Sequence, residues 1–176
     1  MSKSQNNNQP RRIGAGMITL AWILFLGLLS LLFGDFLDYK ENPNQQVASS
    51  RLEAGVIEIV LKRNSYGHYV ANGTINGQRV KFMVDTGATA VAIPGDLASK
   101  LGLKRGANLR THTAGGVVTS FATRLQSVGL GDIRKKRVRA SIVPTMPGNE
   151  ALLGMSFLKD LELIQRNNQL TLRQHP

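Results

Sequence analysis

The chain has 176 residues, no cysteine and a formal net charge of +11 at pH 7. Its length suits one globular domain with a targeting or anchoring segment. The missing cysteines exclude a disulfide framework, a thiolate metal site and a thiol nucleophile, and the three histidines, His68, His112 and His175, lack metal-ligand spacing.

Residues 1–12 are polar and rich in Asn and Gln, and read as a short cytoplasmic tail. The 21 residues 13–33, Ile13 to Phe33, carry no charge. A helix needs about 20 apolar residues to cross a bilayer core. A signal peptide has an apolar core of about 7–15 residues and a small-residue cleavage site. This run is longer, and Leu31-Leu32-Phe33-Gly34-Asp35 is a poor site, so the segment reads as a single-pass anchor. Lys3, Arg11 and Arg12 precede it, and Asp35, Asp38 and Glu41 dominate after it. The positive-inside rule then leaves the N-terminus in the cytoplasm and the remainder outside, in the periplasm of a Gram-negative cell. Residues 34–54, with Asn42-Pro43-Asn44-Gln45-Gln46 and Ser49-Ser50, read as a linker, and residues 55–176 as the domain.

The domain reads mainly as short strands. Val56 to Leu61 is β-rich. Residues 69–75 and 78–84 flank Asn76-Gly77, the strongest short hairpin signal. Val80, Phe82 and Val84 alternate onto one face. The strand ends at Val84-Asp85-Thr86-Gly87-Ala88, and a further apolar run, Ala90 to Ile93, follows. Asp96 is expected to cap a short helix, Leu97 to Leu101, which Gly102 stops. In the second half, Leu125 to Leu130, a Gly131-Asp132 turn, Val138 to Val143, then Leu152-Leu153-Gly154 and a helical segment 155–161 echo the first half. A hairpin around Asn167-Asn168 closes the chain.

Three motifs in order carry a resemblance: Asp85-Thr86-Gly87-Ala88, the glycine-containing segment Thr111-His112-Thr113-Ala114-Gly115-Gly116-Val117-Val118, and Leu152-Leu153-Gly154. Over roughly residues 66–164 the chain resembles the retropepsin-like aspartic peptidases, and more narrowly their membrane-anchored bacterial branch. The resemblance implies an all-β acid-protease fold with one or two short helices, here preceded by a transmembrane helix. It implies that Asp85 is catalytic, that Thr86 bonds across a two-fold axis, and that Gly87 and Ala88 complete the active-site loop. His112, Ala114, Gly115, Gly116 and Val117 would form a flap over substrate, and Leu152, Leu153 and Gly154 would pack beneath the loop. Each motif also has a plainer reading: a strand-end turn, a hairpin turn, buried core.

Peptide hydrolysis by carboxyl groups needs two of them, and only one Asp-Thr-Gly occurs, so the chain is expected to act as a homodimer on a peptide or protein substrate. No cofactor or metal is expected. The retroviral members have an acidic residue after Asp-Thr-Gly-Ala and an Arg after the second motif's Gly; here those positions are Thr89 and Met155. Gly154-Met155-Ser156-Phe157-Leu158 lacks the second glycine of a nucleophile elbow. The alternative is a non-catalytic dimerisation or peptide-binding module at the cell envelope. Beyond Ser50 there are 18 Lys/Arg against 8 Asp/Glu, a balance of +10, densest at Arg134-Lys135-Lys136-Arg137 with Arg139. This cluster reads first as a solvated hairpin turn and second as a surface for anionic lipid or polymer. No aromatics interleave it, so nucleic acid is not an expected partner.

Overall fold

The computed structural model describes residues 9–113 and 115–176. Residues 1–8 of the expected tail lie outside the described residues, and 9–12 are helical. Helix α1 (Gln9–Glu41) carries the apolar run. Trp22, Phe25, Leu28 and Leu31 on it are exposed, and Gly16–Glu41 is long and apolar enough to cross a membrane.

Tyr39–Pro176 forms its own compact unit. In chain order it contains β1 (Ser49–Arg51), β2 (Ile57–Lys62), β3 (Val70–Ile75), β4 (Gln78–Val84), β5 (Val91–Pro94), α2 (Gly95–Lys100), β6 (Asn108–Thr113), β7 (Gly116–Leu130), β8 (Ile133–Val143), β9 (Glu150–Leu153), α3 (Met155–Leu158), β10 (Glu162–Arg166) and β11 (Gln169–Gln174). Seven strands lie in the order β3-β4-β9-β5-β8-β7-β6, and a second contact of β7 with β3, at Thr74↔Gly129 and Ile75↔Val128, curls this sheet back on itself. The other four form the sheet β1-β2-β11-β10. Phe82, Ile93, Leu125, Leu130, Ile142, Leu153 and Phe157 are fully buried between them. Each such side chain contributes about 1.5–3 kcal/mol.

Local chemistry sets the register. Asn76 and Gly77 both have positive φ, 51° and 83°, which suits the two-residue turn joining β3 to β4. Asn167 and Asn168 repeat this between β10 and β11 at φ 48° and 59°, since Asn tolerates the left-handed region.

Four local expectations are corrected. Residues 42–51 are docked on the domain rather than free. Asn44 Nδ2 donates to the carbonyls of Lys62 (2.8 Å) and Val70 (2.7 Å), and its Oδ1 accepts from Lys62 N–H at 2.7 Å. Asn42 Nδ2 donates to Asn72 Oδ1 at 2.9 Å, and β1 pairs with β2. A side-chain amide has the donor and acceptor pattern of the backbone, so it can bridge two strands while buried; composition alone reads such a segment as solvated. Helix α2 starts at Gly95 after Pro94, which leaves Asp96 in its first turn with no side-chain capping bond. The second helix, expected over 155–161, spans Met155–Leu158. The basic cluster lies within strand β8, and the turn itself is Gly131-Asp132.

Candidate active site

Strand β9 lies between β4 and β5, parallel to the first and antiparallel to the second. The parallel register, ending at Val84↔Leu153, brings the residue after β4 level with the residue after β9. Asp85 therefore meets Leu153-Gly154 although the two are far apart in sequence.

The loop that follows β4 is fixed by main-chain bonds. Asp85 N–H donates to Leu153 O at 3.2 Å, Ala88 N–H to Asp85 O at 3.3 Å, and Met155 N–H to Ala88 O at 2.8 Å. Gly87 N–H donates to Asp85 Oδ1 at 2.9 Å, which orients the carboxyl. Asp85 and Ala88 are half-buried, and Thr86 and Gly87 are exposed. Thr86 Oγ1 makes no hydrogen bond among the described residues. Leu153 and Gly154 are buried and Leu152 is half-buried beneath this loop. A Cβ on Gly154 would run into the carbonyl oxygens of Ala90 and Ala88, the latter at 2.6 Å, so no larger residue lets the two segments approach this closely.

Sequence reasoning missed Ser156. Its hydroxyl accepts Val91 N–H at 3.0 Å and donates to Arg139 O at 2.8 Å, tying the start of β5 to β8. The signal was present in the Ser two positions after Gly154, but it carries meaning only once three strands are known to converge there.

The predicted flap is a hairpin of β6 and β7, paired through His112↔Val117 and Thr113↔Gly116. Gly116 has φ 110°, and Thr113 Oγ1 donates to Gly116 O at 2.8 Å, which closes the tip. His112, Gly115 and Gly116 are exposed, Val117 is 48% exposed, and Ala114 lies outside the described residues. Thr111 Oγ1 and Ser120 Oγ, 2.5 Å apart, lock the arm below the tip. The outer strand of the hairpin, β6, ends the strand order and pairs with β7, whose distal part turns back to β3.

Upstream on β4, Lys81 Nζ lies 3.1 Å from both Glu41 Oε1 and Glu150 Oε1. The Lys81 hydrogen bond and charge hold the Glu41 carboxyl below its usual value. Burial alone lowers the affinity of Lys81 for its proton, but the hydrogen bonds to Glu150 and Glu41 outweigh it and raise the ammonium's pKa. This clamp fastens Glu41, within the same compact unit, to the two strands that lead to Asp85 and Gly154. Among the described residues no group of three or more His, Cys, Asp or Glu side chains could hold a metal ion. One carboxylate on a fixed loop can serve as acid or as base.

Residues 71–160 match the model of a protein family described as "gag-polyprotein putative aspartyl protease". An uncharacterized protein in the cobV 5′ region of a Sinorhizobium species is 35% identical over 124 residues, covering 68% of this chain and 53% of its own length. An uncharacterized protein of Rickettsia prowazekii (strain Madrid E) is 35% identical over 118 residues, covering 64% of this chain and 49% of its own. The chain thus spans about half the length of these curated relatives. The crystal structure of a retropepsin-like aspartic protease from Rickettsia conorii superposes with a TM-score of 0.57 at 27% identity, over 73% of this chain and 94% of that one.

Proposed function

Since this chain belongs to the gag-polyprotein aspartyl protease family and has the retropepsin-like fold, we propose that it is an aspartic endopeptidase working as a homodimer, with Asp85 of each copy forming the catalytic pair. One observation carries this reading: Asp85 is half-buried at the end of a core strand, its Oδ1 held by Gly87 N–H and its main chain by Leu153 O. An incidental surface aspartate has no need of such support.

As is established for aspartic proteases generally, two carboxyls about 3 Å apart share one proton rather than both ionising. The ionised member removes a proton from water while the water oxygen attacks the peptide carbon. The neutral member gives its proton to the carbonyl oxygen. As the tetrahedral species collapses, one of its hydroxyls returns a proton to the second carboxylate, the C–N bond breaks, and the proton taken from water passes to the leaving nitrogen, which restores the one-proton pair. The pair titrates as a unit, so neither copy of Asp85 is assigned as acid or base alone. Thr86, exposed and with no side-chain hydrogen bond among the described residues, is available to pair across the two-fold axis. The β6–β7 hairpin, with His112, Ala114, Gly115, Gly116 and Val117, closes over a peptide whose backbone meets Gly87.

The domain scheme we adopt is a tail 1–12, an anchor 13–33, a juxtamembrane segment 34–54 and a peptidase domain 55–176. We take the apolar helix as a single-pass inner-membrane anchor, with the N-terminus cytoplasmic and the domain periplasmic by the excess of basic residues before it.

The test is cleavage of a peptide library by the full-length chain across about pH 4 to 7, the acidic side where a shared proton is retained, with Asp85→Ala alongside. Wild type is expected to cleave, and the variant to lose about 10³-fold or more in rate. Equal cleavage by both would remove Asp85 from the mechanism. A folded dimer that cleaves nothing would point to a non-catalytic peptide-binding module.

A further inference from the structure

The densest charge in the domain is absorbed neither by the fold nor by the proposed catalysis. In strand β8 the inward residues are Ile133 and Lys135, then Val138, Ala140 and Ile142. The inward face switches at Arg137, which has φ 55°, and the ladder with β7 is interrupted there between Leu125↔Val138 and Ser127↔Lys136. Lys136 and Arg137 are consequently both exposed, next to exposed Arg134 and Arg139. A left-handed mid-strand position suits Gly, Asn or Asp better than Arg. Arg139 also stands directly opposite Arg124, a like-charge cross-strand pair that costs stability.

These residues line, with Lys159, a shallow cleft of about 410 Å³. Asp160, a carboxylate at its edge, is already engaged by Lys135 at 2.5 Å. Among the described residues the other five cations form no ion pair. The surface therefore presents several unneutralised charges around a space of headgroup size.

The chain also says where this surface is. Asn42, buried and hydrogen-bonded in the domain, follows Phe33 by nine positions, so it stays within about 30 Å of the apolar run even if the chain is fully extended. The β7–β8 turn is itself fastened to the segment after the anchor, with Asp132 N–H donating to Ser49 Oγ at 2.8 Å. A polybasic surface tethered within reach of a bilayer can be brought onto its headgroups, where the surface potential acts within a Debye length, and a free polyanion has no such tether.

We propose that Arg134, Lys136, Arg137, Arg139 and Lys159 form a docking surface for the anionic lipid headgroups of the bilayer that the N-terminal helix crosses. The proposal rests on the membrane-anchored reading above, and it adds a second attachment that sets the attitude of the domain at the membrane.

The test uses the full-length chain, in which a single engineered cysteine is the sole thiol. A fluorophore is placed by Gln126→Cys, exposed within the patch at the interruption in the ladder, or by Asp96→Cys, exposed on α2 near the far end of β8. The labelled protein is reconstituted into nanodiscs of phosphatidylcholine alone or with added phosphatidylglycerol, and quenching by neutral acrylamide is read. Quenching at position 126 is expected to fall about twofold with the anionic lipid and to recover in high salt or in R134Q/K136Q/R137Q/R139Q, while position 96 does not change. Unchanged quenching at 126 in a chain that floats with the discs would overturn the docking surface and leave the anchor reading intact. Failure to float with discs of either composition would overturn the anchor reading instead. Protection that survives the four substitutions would show that these cations are not the contact. Protection given by soluble polyphosphate with neutral discs, and not by anionic lipid, would assign the patch to a free polyanion.

Discussion

Replacing Gly154 with alanine separates two reasons for a glycine. At φ −89° and ψ −174° the backbone there is ordinary extended chain. If the residue were merely flexible, Gly154→Ala would stabilise by about 0.4–1 kcal/mol through the unfolded state. The structure gives the opposite sign. The new Cβ would lie 2.6 Å from Ala88 O and would also overlap Ala90 O, and both are main-chain atoms held by neighbouring strands. Overpacking of this kind costs about 1–3 kcal/mol, which leaves a net loss of roughly 1–2 kcal/mol. For a domain of this size that lowers Tm by roughly 3–10 °C. A thermal melt followed by the strand signal in circular dichroism reads it. Cleavage should fall further than stability does, by about 10²-fold, because the displaced carbonyl belongs to the loop that positions Asp85. A Tm equal to or above wild type would refute the close-approach argument.

Three other outcomes are expected. Asn44→Ala strands Lys62 N–H and removes the donor to the carbonyls of Lys62 and buried Val70, so the denaturation midpoint should drop by the equivalent of about 2–3 kcal/mol, and a wild-type midpoint would mean that water replaces all three bonds. Ser156→Ala should cost about 1–2 kcal/mol and raise amide exchange at Val91, whose N–H it leaves unpaired; unchanged exchange at Val91 would argue against the tie. The Glu41–Lys81 clamp should be at full strength between pH 4.5 and 10.5. Glu41, lowered in the folded state, loses its contribution as pH falls below 4.5, and Lys81, raised, loses its own as pH rises above 10.5. Glu41 is exposed and Lys81 half-buried at the surface, so the effect is about 1 kcal/mol or less, and it is best read as amide exchange at residues 41–45 against pH, which Lys81→Met should flatten.

The parts of this fold legible in the sequence are those where one residue type answers one local demand. Asn76-Gly77 announces its turn because both positions need positive φ, and Val80, Phe82 and Val84 announce a face because strands alternate. The helix 13–33 announces itself by length and missing charge. What was illegible depends on partners distant in sequence. Asn44 looks like linker because nothing local shows that the edges of β2 and β3 present two carbonyls and one N–H that match the two donors and one acceptor of its amide. Ser156 looks like a failed motif because Val91 N–H and Arg139 O come from two other strands. The switch of face at Arg137 breaks the alternation itself, so no periodicity could find it. The candidate site is intermediate: Asp85 and Gly154 are each readable as motifs, but the parallel β4–β9 register that joins them is not.

That register also bears on how the loop tolerates acid. The retroviral pattern sets an acidic residue and an arginine at the positions held here by Thr89 and Met155. An ion pair at that place would lose its contribution as its carboxylate protonates, on the same side of the pH scale where a shared-proton pair of aspartates operates. In this chain the loop is held by Met155 N–H on Ala88 O and by close packing of Gly154, with Ser156 tying the strands behind it. None of these groups titrates in that range. These contacts behind the loop are therefore independent of pH through the acidic window, and an acid limb in activity is expected from the aspartate pair, the dimer contact or the Glu41–Lys81 clamp rather than from their loss.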